Sequence, residues 1–338
     1  MVKIVLLTDG KPGHETQSIG ITKLLNKAQN FEIIKIRINK PKKIVQQIFK
    51  RFYHMLSKEW MLSFFLTPEA LKSLNETSDI FYIISAGGDT LLPNALLKLE
   101  LMHQSRAVKN IIATSLRGMP PSAYDLVFTI DEAKQNCSPY VYYPVAPNKL
   151  ISFNLEGEKN LAKKKLQLSL AQECISILIG ADTSEVKIGR VLDWVQMIKK
   201  LSKKYSDKVF FVTTSRRTSH DFEYALKNNL NLMNVILLIY NEEEKISIQD
   251  LIYASDTIIC SPDSTSMVSE VLVAEKNLII ASFNSTQLNE SFEGYYFNLS
   301  SFLNIVNFDN EDVNIIANKD VNVKHSEEMR KKIKKALN

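Results

Sequence analysis

Short apolar runs alternate with amphipathic stretches along most of this chain. Lys3–Thr8, Phe31–Ile38, Ile80–Ile84, Asn110–Thr114, Leu126–Ile130 and Tyr140–Tyr143 have the length and β-branched content of buried strands. Between the first two, Gln17–Ala28 places Ile19, Ile21, Leu24 and Leu25 at helical spacing, and Leu91–Leu101 follows the third strand as a helix. A second series starts at Ile175–Ile179 and continues through Val209–Thr213, Val235–Tyr240 and a run opening at Thr257, with Asn277–Ala281 the last clear strand. Its helices are predicted over Val186–Tyr205, His220–Asn228, Ile248–Tyr253 and from about Ser264 onward. Alternation of this kind builds parallel sheets with right-handed crossovers. The expectation is an α/β protein with two Rossmann-like domains, 1–150 and 173–322. A linker over 151–172 joins them, where the pattern loosens and Lys159 and Lys163–Lys165 read as exposed; a basic amphipathic helix within 323–338 closes the chain. Open α/β sheets bind ligands beyond their strand C-termini, so two such domains in tandem predict a cleft between them.

Composition narrows the partners. The chain has 338 residues, 45% hydrophobic and 23% charged, as ordinary globular proteins do. A formal charge of +5 suits phosphorylated small molecules or an anionic membrane surface and is too small to argue for nucleic acid. Cys137, Cys174 and Cys260 form neither a disulfide framework nor a zinc pattern, which points to a reducing, cytoplasmic setting. The apolar run before Asp9 is too short for a secretory signal, and no stretch is long enough to span a bilayer. One segment does invite a membrane. Across residues 42–65, Lys42, Lys43, Lys50 and Arg51 flank Ile44, Ile48, Phe49, Phe52, Met55, Trp60 and Phe64, with the apolar set on one helical side. That composition fits peripheral contact at a membrane surface, though most amphipathic helices face a core, and the first expectation is a crossover helix packed on its sheet.

The candidate chemistry lies in loops after strands. Asp9-Gly10-Lys11-Pro12-Gly13-His14-Glu15 reads as a compact turn opening onto a helix, with His14 or Asp9 available as a general base. Gly87 and Gly88, followed by Asp89-Thr90, allow a ligand to approach the backbone, and Arg117 follows the next strand. In the second series Gly180 ends a strand, Ser215, Arg216 and Arg217 follow another, and Ser264–Ser266 start a helix with Glu270 one turn deeper. An arginine fork fits a diphosphate, helix-start amides and hydroxyls bind anions, and a carboxylate can hold a sugar diol. Asp263 would repel a phosphate and reads as a cap, and the whole Ser264 stretch also reads as an ordinary capped helix. The Gly-Gly-Asp run resembles the nucleotide loop of NAD and diacylglycerol kinases, without their following glycine, which keeps a phosphotransferase reading open. No Asp-x-Asp pair is present, so leaving-group charge falls to arginines and helix ends in a metal-independent transfer.

Three motifs in order, Asp9–His14 with Gln17, Thr213–Thr218 and Asp263–Glu270, resemble the mitochondrial fission "elongated mitochondria" family, over most of the chain. The resemblance implies a GT-B-like fold and, for the bacterial members, a glycosyltransferase linked to lipooligosaccharide outer-core assembly. It also implies a donor diphosphate on Ser215, Arg216, Ser264 and Ser266, Glu270 on the ribose, and His14 and Asp9 facing the acceptor, with no cofactor. The chain departs from the family pattern at Gly87–Thr90, at Glu132-Ala133, at Gly180-Ala181 and at Glu275-Lys276-Asn277. Those departures motivate the other reading, a non-catalytic relative that binds nucleotide or membrane. The function expected is transfer of a sugar from a nucleotide-sugar to a lipid-linked or core saccharide at the inner face of the membrane.

Overall fold

The computed structural model describes residues 3–27, 30–77, 79–240, 242, 246–310, 314–315 and 323–337. Ala28 and residue 322, where an expected helix and an expected domain end, lie outside them. The chain divides into two compact units, Met1–Phe153 with Ser326–Asn338, and Asn154–His325.

The first unit runs β1 (Lys3–Thr8), α1 (Pro12–Asn26), β2 (Glu32–Arg37), α2 (Lys43–Phe52), α3 (Lys58–Leu62), α4 (Pro68–Glu76), β3 (Ile80–Ala86), α5 (Leu91–His103), β4 (Lys109–Ala113), β5 (Leu126–Thr129) and β6 (Tyr140–Tyr142). Its six strands are parallel in the order β2-β1-β3-β4-β5-β6. Val5 and Leu7 enter one core with Ile83, Leu62, Phe65, Leu92 and Leu96. Ile4 and Leu6 on the opposite face are buried too, as expected of a sheet covered by helices on both sides. Strand order reverses between β1 and β3, so their C-terminal ends flank the unit's natural ligand crevice.

Two expectations change here. The helix after β1 begins at Pro12, so Gly13 and His14 are helical and the turn shrinks to Asp9–Lys11. Proline is favoured at the first helical position because its missing N–H would be unpaired there in any case. Ile21, Leu24 and Leu25 are buried as predicted, while Ile19 is half-buried. The apolar side expected across residues 42–65 is in fact divided: Phe49, Met61, Leu62 and Phe65 are buried, whereas Ile44, Ile48, Met55 and Trp60 face solvent.

The second unit runs α6 (Leu155–Lys165), β7 (Cys174–Leu178), β8 (Val186–Lys187), α7 (Val191–Lys204), β9 (Val209–Thr213), α8 (His220–Asn229), β10 (Val235–Leu238), α9 (Ile248–Ala254), β11 (Thr257–Cys260), α10 (Thr265–Val273), β12 (Asn277–Ser282), β13 (Gln287–Leu288), α11 (Glu290–Asn298) and β14 (Asn304–Asn307). The main sheet is parallel, ordered β10-β9-β7-β11-β12-β14, and reverses between β7 and β11. The helix expected over Val186–Tyr205 starts only at Val191. Gly189, at φ +98°, turns the chain, and Val186–Lys187 instead pairs antiparallel with β13. The strand β14 is additional; asparagines at both ends hid it. The expected linker contains α6, tied to its own unit through Lys159–Asp256 at 2.7 Å and Lys165–Asp250 at 2.8 Å. Lys163 is buried rather than exposed, its ammonium donating to the carbonyls of Leu170 and Gln172 at 2.8 and 2.6 Å. A buried ammonium needs such acceptors to offset its lost hydration.

The C-terminal helix α12 (His325–Leu337) joins the first unit, burying Met329, Ile333 and Leu337 and pairing Glu327 with Lys27. Among the described residues no helix is long and apolar enough to cross a membrane.

Candidate functional site

In the first unit the site assembles at the β1/β3 reversal. Asp9 follows β1 directly, and its carboxylate has no exposed surface. One oxygen, Oδ1, accepts the Lys11 amide at 3.1 Å; the other, Oδ2, lies 2.9 Å from Nδ1 of His14. Burial raises the Asp9 carboxyl, but the Lys11 amide, the His14 imidazole and the Lys11 ammonium outweigh it and hold it below its ordinary value. An ionised carboxylate only accepts, so Nδ1 of His14 carries a proton, and the tautomer this selects leaves Nε2 as the nitrogen able to accept one.

The start of α1 at Pro12 is what makes this pair possible. It carries His14 back over the end of β1, to within reach of Asp9. Gly87, at φ +91°, ends β3 against the same imidazole: a β-carbon there would collide with Nδ1, so a side chain would push His14 off its partner. The Arg117 guanidinium lies against Gly88, and Lys11 pairs with Asp89 at 3.4 Å. Asp9, Gly10, Lys11, His14, Gly87, Gly88 and Arg117 are thus brought to one edge of the sheet, while Gly13 points into open space. A cavity of about 420 Å³ opens beside His14, walled by Gln17, Thr114, Ser115, Thr129, Asp131 and Lys134 among others. Of these, Asp131 and Lys134 carried no signal in the sequence, because their loop reaches the cavity only once β5 and β6 are paired.

In the second unit the equivalent reversal, between β7 and β11, gathers Gly180 and the Ser261–Ser264 turn. Asp263 organises it. Its Oδ1 accepts the Ser261 hydroxyl at 2.6 Å, and its Oδ2 accepts the Ala181 amide at 3.2 Å and Arg217 Nη2 at 2.7 Å. Asp263 is therefore not the cap of α10. Ser264 caps it, accepting the Met267 amide at 3.4 Å, because Asp263 is drawn back under β7 by these donors. Gly180 packs so closely on the Asp263 carboxylate that no side chain fits between them. Ser215 is turned into its own loop, its Oγ accepting the Arg217 amide at 3.2 Å beside Thr218 Oγ1 at 3.1 Å.

The two arginines separate. Arg217 is held by Asp263, while exposed Arg216 makes no hydrogen bond or ion pair among the described residues. On α10, Thr265 and Ser266 are exposed at the first turn, where amides have no intrahelical partner, and Glu270 is half-buried one turn on. A cavity of about 440 Å³ is lined by Gly180, Arg217, Lys187, Arg190 and Ser219, with Lys187 and Arg190 unforeseen from the sequence. Arg216, Ser264, Ser266 and Glu270 lie outside that lining. Among the described residues no group of three His, Cys, Asp or Glu side chains could hold a metal ion.

Two parallel six-stranded sheets with helices on both faces define an α/β protein of two Rossmann-like units, GT-B-like in class. The chain matches the family described as mitochondrial fission ELM1 over residues 12–309, and it belongs to that family. Among curated proteins no relative matches it. Of the solved structures, the UDP-GlcNAc 2-epimerase from Methanocaldococcus jannaschii is 16% identical with a TM-score of 0.52, over 100% of this chain and 92% of that one. The E. coli ADP-heptose lps heptosyltransferase II is 13% identical with a TM-score of 0.49, over 99% and 98%. Acinetobacter baumannii MurG is 14% identical with a TM-score of 0.45, over 100% and 91%. At 16% identity the likeness to the epimerase is one of fold.

Proposed function

We propose that this protein is a glycosyltransferase, moving a sugar from a nucleotide-sugar donor to a lipid-linked or core saccharide at the cytoplasmic face of a membrane. The observation that carries the reading is the buried Asp9–His14 pair at the point where the first sheet reverses. An orienting carboxylate behind an imidazole whose other nitrogen is free is the arrangement a general base requires. In this mechanism Nε2 of His14 takes the proton of an acceptor hydroxyl. The hydroxyl oxygen bonds to the anomeric carbon as the bond to the diphosphate oxygen breaks, and the nucleoside diphosphate leaves with that electron pair. Arg216, the hydroxyls of Ser264 and Ser266 and the first-turn amides of α10 take up the charge of the leaving group without a metal ion. Glu270 accepts hydrogen bonds from the ribose hydroxyls. Direct attack inverts the anomeric centre.

The phosphotransferase reading is the weaker of the two at Gly87–Thr90. Asp89 is neutralised by Lys11 and Lys40 at 3.4 and 3.2 Å, and the buried Thr90 hydroxyl is within bonding distance of the Ala86 and Gly87 carbonyls. Both side chains are engaged within the first unit, which favours the transferase over the phosphotransferase.

Thermal unfolding in the presence of UDP, GDP, CMP, ADP and ATP tests the donor half. One nucleoside diphosphate should raise the melting temperature, and Glu270→Ala should weaken that nucleotide by roughly 1–3 kcal/mol. No shift with any nucleotide would overturn the transferase and leave a non-catalytic relative. A shift with ATP alone that Asp89→Ala removes would restore the phosphotransferase.

A further inference from the structure

The outward face of α2 and α3 is apolar and ringed by cations, and the transfer chemistry leaves it unused. The apolar residues of α2 and the turn after it form two adjacent stripes. Val45, Phe49, Tyr53 and Leu56 turn in on the core. Ile44, Ile48, Phe52 and Met55, at the same helical spacing, turn out, with exposures of 71, 49, 39 and 80%. Trp60 and Phe64 extend the outer stripe. Their rings pack edge-on at 5.2 Å from each other and at 5.4 and 5.2 Å from buried Phe49, so they are held in place on the surface.

The charges around this stripe are nearly all of one sign. Residues 42–65 contain Lys42, Lys43, Lys50, Arg51 and Lys58 against a single acid, Glu59 beside Trp60. Lys50 also donates to the Arg117 carbonyl at 3.3 Å, which ties the rim of the patch to the loop packed on Gly88. An apolar, aromatic stripe bordered by a clear excess of cations, five against one acid, complements one surface well. Its side chains enter the acyl boundary of a bilayer while its ammonium and guanidinium groups remain on lipid phosphates. A second copy of the chain fits poorly, because a symmetric contact would set these cations against themselves.

We propose that this face is a docking surface for an anionic lipid bilayer. Docking does not rest on the transferase reading, since no residue of that mechanism lies on the face. If both hold, an acceptor carried in the lipid meets the first unit beside its Arg117 loop.

The experiment is flotation of the full chain with phosphatidylcholine vesicles, with and without phosphatidylglycerol, at low and high salt. No nucleotide or acceptor is present, so failure here leaves the transferase reading standing. Tryptophan emission is recorded in parallel. The chain has two tryptophans, and Trp194 is fully buried, so a blue shift on vesicle addition reports Trp60. The expected result is flotation and a blue shift with the anionic vesicles alone, weakened by salt. The pair Ile44→Ser and Met55→Ser, both at exposed positions, should abolish flotation. Lys43→Gln with Arg51→Gln should weaken it roughly twenty-five-fold, about fivefold per charge. Wild-type chain that stays unbound at low salt would overturn the proposal. So would equal binding to neutral vesicles, or a concentration-dependent dimer that the serine pair dissolves while vesicles are ignored.

Discussion

Replacing Asp9 with asparagine isolates the step on which the catalytic reading depends. The side chain is fully buried and of nearly the same shape, so packing is preserved. What changes is the direction of one hydrogen bond. The Lys11 amide donates to Oδ1 at 3.1 Å, and an asparagine must offer its carbonyl oxygen there to avoid leaving that amide unpaired. Its NH₂ group then faces Nδ1 of His14 across the 2.9 Å gap now closed by a carboxylate. A neutral imidazole meets that donor by moving its proton to Nε2, the nitrogen that should accept from the acceptor hydroxyl. The base is thereby lost with the geometry intact. Turnover should fall by about 10²–10⁴-fold, the contribution typical of a positioned general base. Nucleoside diphosphate release from the donor matching the stabilising nucleotide measures the rate, and nucleotide-induced stabilisation should stay unchanged. The tautomer is visible without activity: ¹⁵N spectra of the five histidines, with His14→Gln for assignment, should move the His14 proton from Nδ1 to Nε2. A folded Asp9→Asn protein with near-wild-type turnover, or a wild-type His14 already protonated on Nε2, would refute the reasoning.

Two further predictions follow from the second unit. Arg216→Ala should weaken nucleotide binding by roughly 1.5–3 kcal/mol, as expected of a charged hydrogen bond, at an unchanged melting temperature. Arg217→Ala should instead destabilise the fold by about 1–3 kcal/mol in chemical denaturation, because it strands the buried Asp263 carboxylate; identical behaviour of the two variants would sink that division. His325, packed edge-on to Phe302 at 4.9 Å, is buried, and burial pulls its pKa from 6.5 down to about 4. The unfolded chain takes up that proton below pH 6.5 and the folded chain only below about 4. The stability linked to this group is therefore complete above pH 6.5 and lost progressively toward pH 4, about 3 kcal/mol in all. Urea titrations across that interval should show the loss, and His325→Phe should flatten it.

The alternation of buried runs and amphipathic stretches was enough to determine the α/β class and nearly every strand, because a strand covered on both faces must be apolar at successive positions. The loops that follow those strands were legible for the same reason: once strand ends are known, so are the loops at the ligand-binding edge. Local pattern could not decide where a helix begins inside a Gly- and Pro-rich turn, and so it read His14 and Asp9 as rival bases. Only the tertiary structure, with α1 starting at Pro12 and Gly87 closing over the imidazole, makes them one pair. Arg216 and Arg217 are adjacent and chemically identical, and what separates them is Asp263, 46 residues away along the chain and reached only because β11 lies beside β7. The same limit applies on the surface. Helical spacing marked residues 42–65 as amphipathic, but which apolar residues the core takes and which it leaves to solvent depends on how much sheet α2 and α3 have to cover. Residue type and period set the elements; contacts between residues far apart in the chain decided which side chains remain free to act.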